Sequence, residues 1–387
     1  MWTTALRLAS AAALLPYVRS AYRIRGWGRL PRRRGPTLVI ANHQHDLDSM
    51  AIMARLTVDG PWTEPIRTIS SRRMFEPGFF AVRTPWVAPL VRRYDPAPLF
   101  GALGPMPIEN DLRRRALQSI AREIRRRHGN IGLGEILPVA AIQARGLPTN
   151  LRLDDLQASR WFDAAQGEVE LRELREPHRT QVRDQTRRLV DEDLARIEAT
   201  LRAGGTFFLT PEGHYTTSGK MLRFRDAFVR LAPLADVWLA AISYDVLRGT
   251  RLSQLYRLVR PERSDDIVSS LKAARPVTTS QLLAAWLLAR EDEPFSAAAI
   301  VAGVRDALAA LPPRLFVDPE LRADSGRAVQ ESLVTCERLG ILARAGNAFR
   351  LCTQRRHPRF AEVSDVVAFQ ANFFAETLAG SAALDAR

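Results

Sequence analysis

An α/β fold with a mostly helical C-terminal part is what this sequence predicts, on three observations. Short apolar runs at 37–41, 207–209 and 238–243 read as buried strands. Helical stretches lie between them, so strands and helices alternate along the chain as they do in an α/β core. Beyond Pro261 the pattern changes to successive amphipathic helices and one short hairpin.

The elements follow in order. Residues 1–24 carry Trp2, Leu6, Leu8, Leu14, Leu15 and Tyr17, with Arg7, Arg19 and Arg23 around them. The run 8–18 is interrupted by Pro16 and is too short to span a bilayer, which takes about 20 apolar residues. Two readings stay open: an amphipathic helix lying in a membrane interface, or a helix packed on the domain. A basic, Pro-containing loop over 26–35 leads into the 37–41 strand, and a helix from Asp48 runs to about Leu56. A short strand at 66–69 precedes Arg72 and Arg73, then a Pro- and aromatic-rich stretch to Leu103. Residues 111–127 read as an amphipathic helix, with Asp111 near its start and Arg125 to Arg127 in its last turn, as the helix dipole favours. Val190, Leu194, Ile197 and Leu201 give helical spacing to 183–202, and Gly204-Gly205 ends that helix. In the C-terminal part, 279–288, 296–311 and 328–339 read as helices, 341–351 as a hairpin turning at Gly346-Asn347, and 360–378 as a closing helix. Helices followed by a hairpin are winged-helix-like.

The apolar and charged fractions are those of an ordinary globular protein, and 387 residues favour more than one domain. The formal net charge is +14, and Lys occurs only at Lys220 and Lys272, so the positive side is almost all Arg. Such an excess favours anionic partners: an acidic membrane surface, CoA or nucleic acid. Cys336 and Cys352 have no metal-ligand spacing and read as small core residues.

The stretch with most chemistry is Asn42-His43-Gln44-His45-Asp46-Leu47-Asp48, directly after the 37–41 strand. If a helix begins near Asp46, one turn returns the Asp48 carboxylate to the His43 ring. It would hold one imidazole nitrogen and leave the other to take a proton. A second patch follows the 207–209 strand: Thr210-Pro211-Glu212-Gly213-His214. Gly213 suits a tight turn or a close backbone approach. His45 reads as a neighbour of the base with no direct part.

Asn42, His43 and Asp48, and Pro211-Glu212-Gly213 followed by Gly219 and Phe224-Arg225, resemble the first and third motifs of the glycerolipid acyltransferase superfamily, the lysophosphatidate acyltransferase-like enzymes. The resemblance covers about residues 20 to 250. A weaker match to a second motif runs from Gly104 to Asn110. It implies a mixed sheet flanked by helices over 25–261, with an insertion at about 129–180, and leaves 262–387 as a helical C-terminal domain. The implied activity is transfer of a fatty acyl group from acyl-CoA or acyl-carrier protein to a hydroxyl of a glycerol-phosphate, lysophospholipid or other lipid. His43 would be the base and Asp48 its orienter. Asn42, Arg73, Pro211, Glu212, Gly213 and Arg225 would bind substrate. No metal or organic cofactor is implied beyond the acyl donor, and the enzyme would sit peripherally on the cytoplasmic face of a membrane.

Two departures bear on the acceptor. His214 and Tyr215 stand where relatives carry Thr or Ser and then Arg, and Asn110 stands where the second motif ends in Arg. Both are positions from which a phosphate-holding arginine is expected. Arg225, Arg223, Arg73 and Arg113 to Arg115 are the candidate substitutes. Two other classes stand as alternatives: a membrane or acyl-lipid binder without activity, and a nucleic-acid binder acting through 262–387. Nucleic acid is the less favoured partner, because the arginines are spread along the whole chain.

Overall fold

The structure, a computed structural model, describes residues 5, 8–10, 12–13, 16, 19–20, 22–31, 35–45, 48–59, 66–79, 81, 91–92, 94–109, 113–291 and 293–386. The helix expected over 1–24 falls largely outside these, as do Asp46, Leu47, Asn110 and Asp111. The fold is α/β with a mixed sheet. Two compact units divide the chain: residues 1–68 with 201–387, and residues 69–200.

In the first unit the strands lie in the order Tyr22–Trp27, Leu252–Val259, Asp236–Asp245, Thr37–Ala41, Thr206–Leu209 and the 66–68 part of Ile66–Ser71. Thr37–Ala41 is central and parallel to both neighbours, and every one of its residues is buried. That is why it reads as an unbroken apolar run instead of an alternating one. Asp236–Asp245 and Leu252–Val259 form an antiparallel hairpin, which makes the sheet mixed.

Tyr22–Trp27 is a strand, parallel to Leu252–Val259, where the sequence places the end of a helix and the start of a loop. All six of its residues are in register with Leu252–Arg257, and its arginines add ion pairs to that ladder. Arg25 makes a two-pronged pair with Asp318, at 2.7 and 2.6 Å, and Arg23 pairs with Glu320. Tertiary partners of this kind leave no local signal. Leu252–Val259 was not anticipated either.

The helices beyond 261 share one hydrophobic cluster with the sheet: Val39, Phe208, Ile242 and Tyr256 pack with Leu283, Val304, Val329 and Phe369. The sequence divides the chain at 261, but compactness does not, because neither part encloses this core alone. Thr279–Leu288 opens with a capping box, Thr278 accepting from the Gln281 amide while Gln281 reaches back. Ala297–Ala309 and Ser325–Arg338 follow, and Leu342–Ala345 pairs with Ala348–Leu351 as the expected hairpin. Phe295–Ser296 adds a third strand to it. The last helix is Val366–Asp385, not 360–378. Asp365 accepts the amides of Val367 and Ala368 and so fixes the start.

In the second unit, Ile69–Ser71 pairs with Met106–Ile108. The helix expected over 111–127 is shorter, Leu117–His128. Arg114–Ala116 before it is a strand paired with Glu168–Glu170. Leu117, Ile120 and Ile124 on that helix pack with Leu133, Leu156, Val169 and Val182, so residues 129–180 close a core of their own. His178–Arg202 is the long helix, five residues longer at its start than its spacing predicts.

His357 is buried in the first unit, and its Nδ1 accepts the Arg359 amide at 3.2 Å. Burial pushes its pKa down to about 4, helped by the charges of Arg359 and Arg338. A folded value below the unfolded one near 6.5 means stability that is present above pH 6.5 and lost as pH falls toward 4. Urea unfolding should show a loss on the order of 2–3 kcal/mol across that window. A His357→Asn variant should lose less over the same window; equal slopes would exclude this histidine as the cause.

Candidate active site

His43 lies just past the carboxyl end of the central strand. Register sets its neighbour: Ile40 stands opposite Leu209, so three residues further along each chain His43 comes beside Glu212. The His43 amide donates to Glu212 Oε1 at 2.8 Å, and the Thr216 amide reaches the His43 carbonyl at 3.4 Å. The two motifs, 169 residues apart in sequence, are joined by parallel strand pairing.

Asp48 holds the His43 ring. Its Oδ2 lies 3.0 Å from His43 Nδ1 and also accepts the amides of Gln44 (2.6 Å) and His45 (2.9 Å). Its Oδ1 accepts the Tyr244 hydroxyl, which in turn accepts from Gln254 Nε2 at 2.8 Å. Asp48 is fully buried, and each of these contacts requires it as acceptor. With Nδ1 as the donor to Asp48, Nε2 is the ring nitrogen that can accept a proton. Burial and the Asp48 charge hold the Tyr244 phenol well above its usual range, so it stays a donor. Tyr244 and Gln254 were not anticipated. Their strand pattern signals only burial, and Gln254 lies on the strand the sequence did not show.

The remaining expected residues separate into groups. Asn42 is 1 % exposed, and its side-chain amide exchanges both hydrogen bonds with Ile242, at 3.0 and 2.8 Å. It continues the strand ladder as a clamp between the central strand and Asp236–Asp245. Glu212 is buried, with Oε2 accepting the Leu222 amide at 2.7 Å. Burial raises its pKa, while the amides of Leu222 and His43 and the charge of Arg275 pull it back. Pro211 O accepts the Arg225 amide at 2.9 Å, and Arg225 Nε donates to Glu212 O at 3.2 Å. Gly213 has φ +75°, and a Cβ there would collide with Arg225 Nε. Pro211, Glu212, Gly213 and Arg225 thus form one closed loop beside His43. Arg73 belongs to the second unit, where it bonds Glu168 and the Gln166 carbonyl.

His45 is a packing residue. Its Nε2 lies 3.0 Å from Arg359 O, and its ring meets Tyr22, Tyr244 and Phe360. Tyr215, one of the two departures, stands edge-on to the His43 ring at 5.7 Å. Among the described residues no group of three or more His, Cys, Asp or Glu is placed to hold a metal ion. No family model matches the chain, and no curated protein matches it in sequence.

Removing the Tyr244 hydroxyl leaves Asp48 Oδ1 and Gln254 Nε2 unpaired in a buried site. Tyr244→Phe should cost about 1–3 kcal/mol in urea unfolding at neutral pH. An unchanged midpoint would show that Asp48 does not depend on the phenol.

Proposed function

We propose that the chain is an acyltransferase. His43, oriented by Asp48, takes the proton from a lipid hydroxyl as that oxygen attacks the thioester carbonyl of acyl-CoA or an acyl-carrier protein. The observation that carries this reading is the His43–Asp48 pair at 3.0 Å, with Glu212 on the His43 amide. A hydroxyl is a poor nucleophile, and a positioned base overcomes that as the bond forms. The thiol leaves with the electron pair of the broken C–S bond and takes up a proton. No covalent acyl-enzyme is needed. The acceptor is a glycerol-phosphate, a lysophospholipid or another lipid alcohol.

Membrane association at a cytoplasmic face is part of the proposal, supported by the net charge of +14 and the basic N-terminal half of the chain. No helix among the described residues is long and apolar enough to cross a membrane. Nucleic-acid binding through the C-terminal helices is less well supported. On Ser325–Arg338, Glu331 pairs with Arg248, and Thr335 and Arg338 both bond Gly249, so much of that helix's polar surface is spent inside the protein.

Purified protein, long-chain acyl-CoA and a lipid extract should release free thiol and give a new acylated lipid by mass spectrometry. His43→Ala should reduce the rate roughly 10²–10⁴-fold. Thiol release without a lipid product would indicate hydrolysis. Product formation unaffected by His43→Ala would sink the assignment of the base.

A further inference from the structure

The groups that hold the Pro-Glu-Gly loop extend beyond the motif. The chain after it runs against the C-terminal helix Val366–Asp385. Asn372 Nδ2 donates to the Ser218 carbonyl at 3.0 Å. Gly219, at φ +80°, lies so close to Phe369 that a Cβ would strike its carbonyl oxygen. The Met221 amide donates to Glu376 Oε2 at 2.7 Å, and the next amide, Leu222, donates to Glu212 Oε2 at 2.7 Å. Two carboxylates, one from the loop and one from the C-terminal helix, therefore grip successive peptide groups.

Two carboxylates that close need countercharge. Lys272 Nζ bonds Glu376 Oε1 at 2.9 Å. Arg275, ending the helix Ile267–Ala274, is 1 % exposed, with Nη1 3.8 Å from Glu376 Oε2 and its guanidinium 4.1 Å from the centre of the Phe373 ring. Its Nε and Nη1 have no hydrogen-bond partner. Burying a guanidinium this way is costly unless its charge is answered, so what it contributes here is charge more than bonding geometry. Glu212 and Glu376 hold adjacent amides, so the cations on Glu376, Arg275 and Lys272, stand on the same peptide pair as Glu212. Arg225 Nε bonds the Glu212 carbonyl, the His43 amide bonds its Oε1, and the charge of Arg275 favours the Glu212 carboxylate. Burial lowers Arg275 only to about 10, so it is a cation at neutral pH.

We propose that Arg275 and Glu376 are positioning residues of the candidate active site: Glu376 fixes the Met221–Leu222 segment, and Arg275 supplies the countercharge that lets Glu212 hold the His43 amide as a carboxylate. The C-terminal helices are then a working part of the site. The inference rests on the acyltransferase reading for its consequence in catalysis, but its test does not.

With only the six histidines labelled with ¹⁵N, the His43 amide is assigned by its absence in His43→Gln, and its proton shift follows the charge on Glu212. The step in that shift with pH, assigned by its loss in Glu212→Gln, should rise by on the order of one pH unit in Arg275→Met and return most of the way in Arg275→Lys. The acid limb of the transfer rate should move with it. If Arg275→Met does not fold, Glu376→Gln tests the same balance. It keeps an acceptor for Met221, and removing the negative charge should move the step down. An unmoved step in either variant overturns the proposal. A moved step in a protein with no His43-dependent transfer would leave the positioning in place and remove the acyltransferase reading instead.

Discussion

The site depends on one buried charge. Asp48 is fully buried at the start of the helix Asp48–Asp59, where its carboxylate also meets the positive end of the helix dipole. A charge so placed survives only if its oxygens are filled. The Gln44 and His45 amides, the His43 ring and the Tyr244 hydroxyl fill them. Each donor is constrained in return. The Gln44 and His45 amides are turned toward the carboxylate, the imidazole cannot rotate without stranding it, and the Asp236–Asp245 strand must sit in the register that brings Tyr244 to it. Orientation of the His43 ring is thus a by-product of satisfying Asp48.

Much of this was legible. The central strand, the His43–Asp48 approach across one turn, and the tight turn at Gly213 follow from local residue order, because apolar runs, helix geometry and glycine conformation are local properties. The pairing of Ile40 with Leu209 was not, since it is fixed by packing between segments far apart in the chain. Asn42 shows the difference. Its place beside His43 was readable, but its partner, the backbone of Ile242, is 200 residues away and gives it a clamping role the local sequence does not show. Arg73 shows it again, since its partners Glu168 and Gln166 come from a stretch with no readable pattern. The strand Tyr22–Trp27 was missed because its partner, Leu252–Val259, lies some 230 residues away, and the carboxylates at 318 and 320 that pair with its arginines lie farther still.

The arginine excess has a structural side. Arg25 with Asp318, Arg72 with Asp193, Arg115 with Glu123 and Arg145 with Glu173 are all at least half-buried on the arginine side and paired. A guanidinium that presents two parallel N–H groups to a carboxylate tolerates burial better than an ammonium. At Arg25 the fork is used in this way, Nη1 and Nη2 meeting the two oxygens of the buried Asp318. Such bridges cancel within the net charge, so the excess of +14 is carried by arginines beyond them.

The C-terminal helices change how the motif loop should be understood. A Pro-Glu-Gly turn held only by its own residues and His43 would be tied at Thr216 and Leu222, with nothing on the chain from 218 to 221. Here Phe369 allows no side chain at 219, Asn372 takes the Ser218 carbonyl, and Glu376 takes the Met221 amide. These three lie at spacings of three and four on one helix, so a single helical face meets the loop. That face belongs to a helix buried along much of its length in the same core as the central strand. The loop carrying Glu212 and the strand carrying His43 are consequently referenced to one rigid body, and the 2.8 Å contact between them is set by the packing of that core more than by the motif itself.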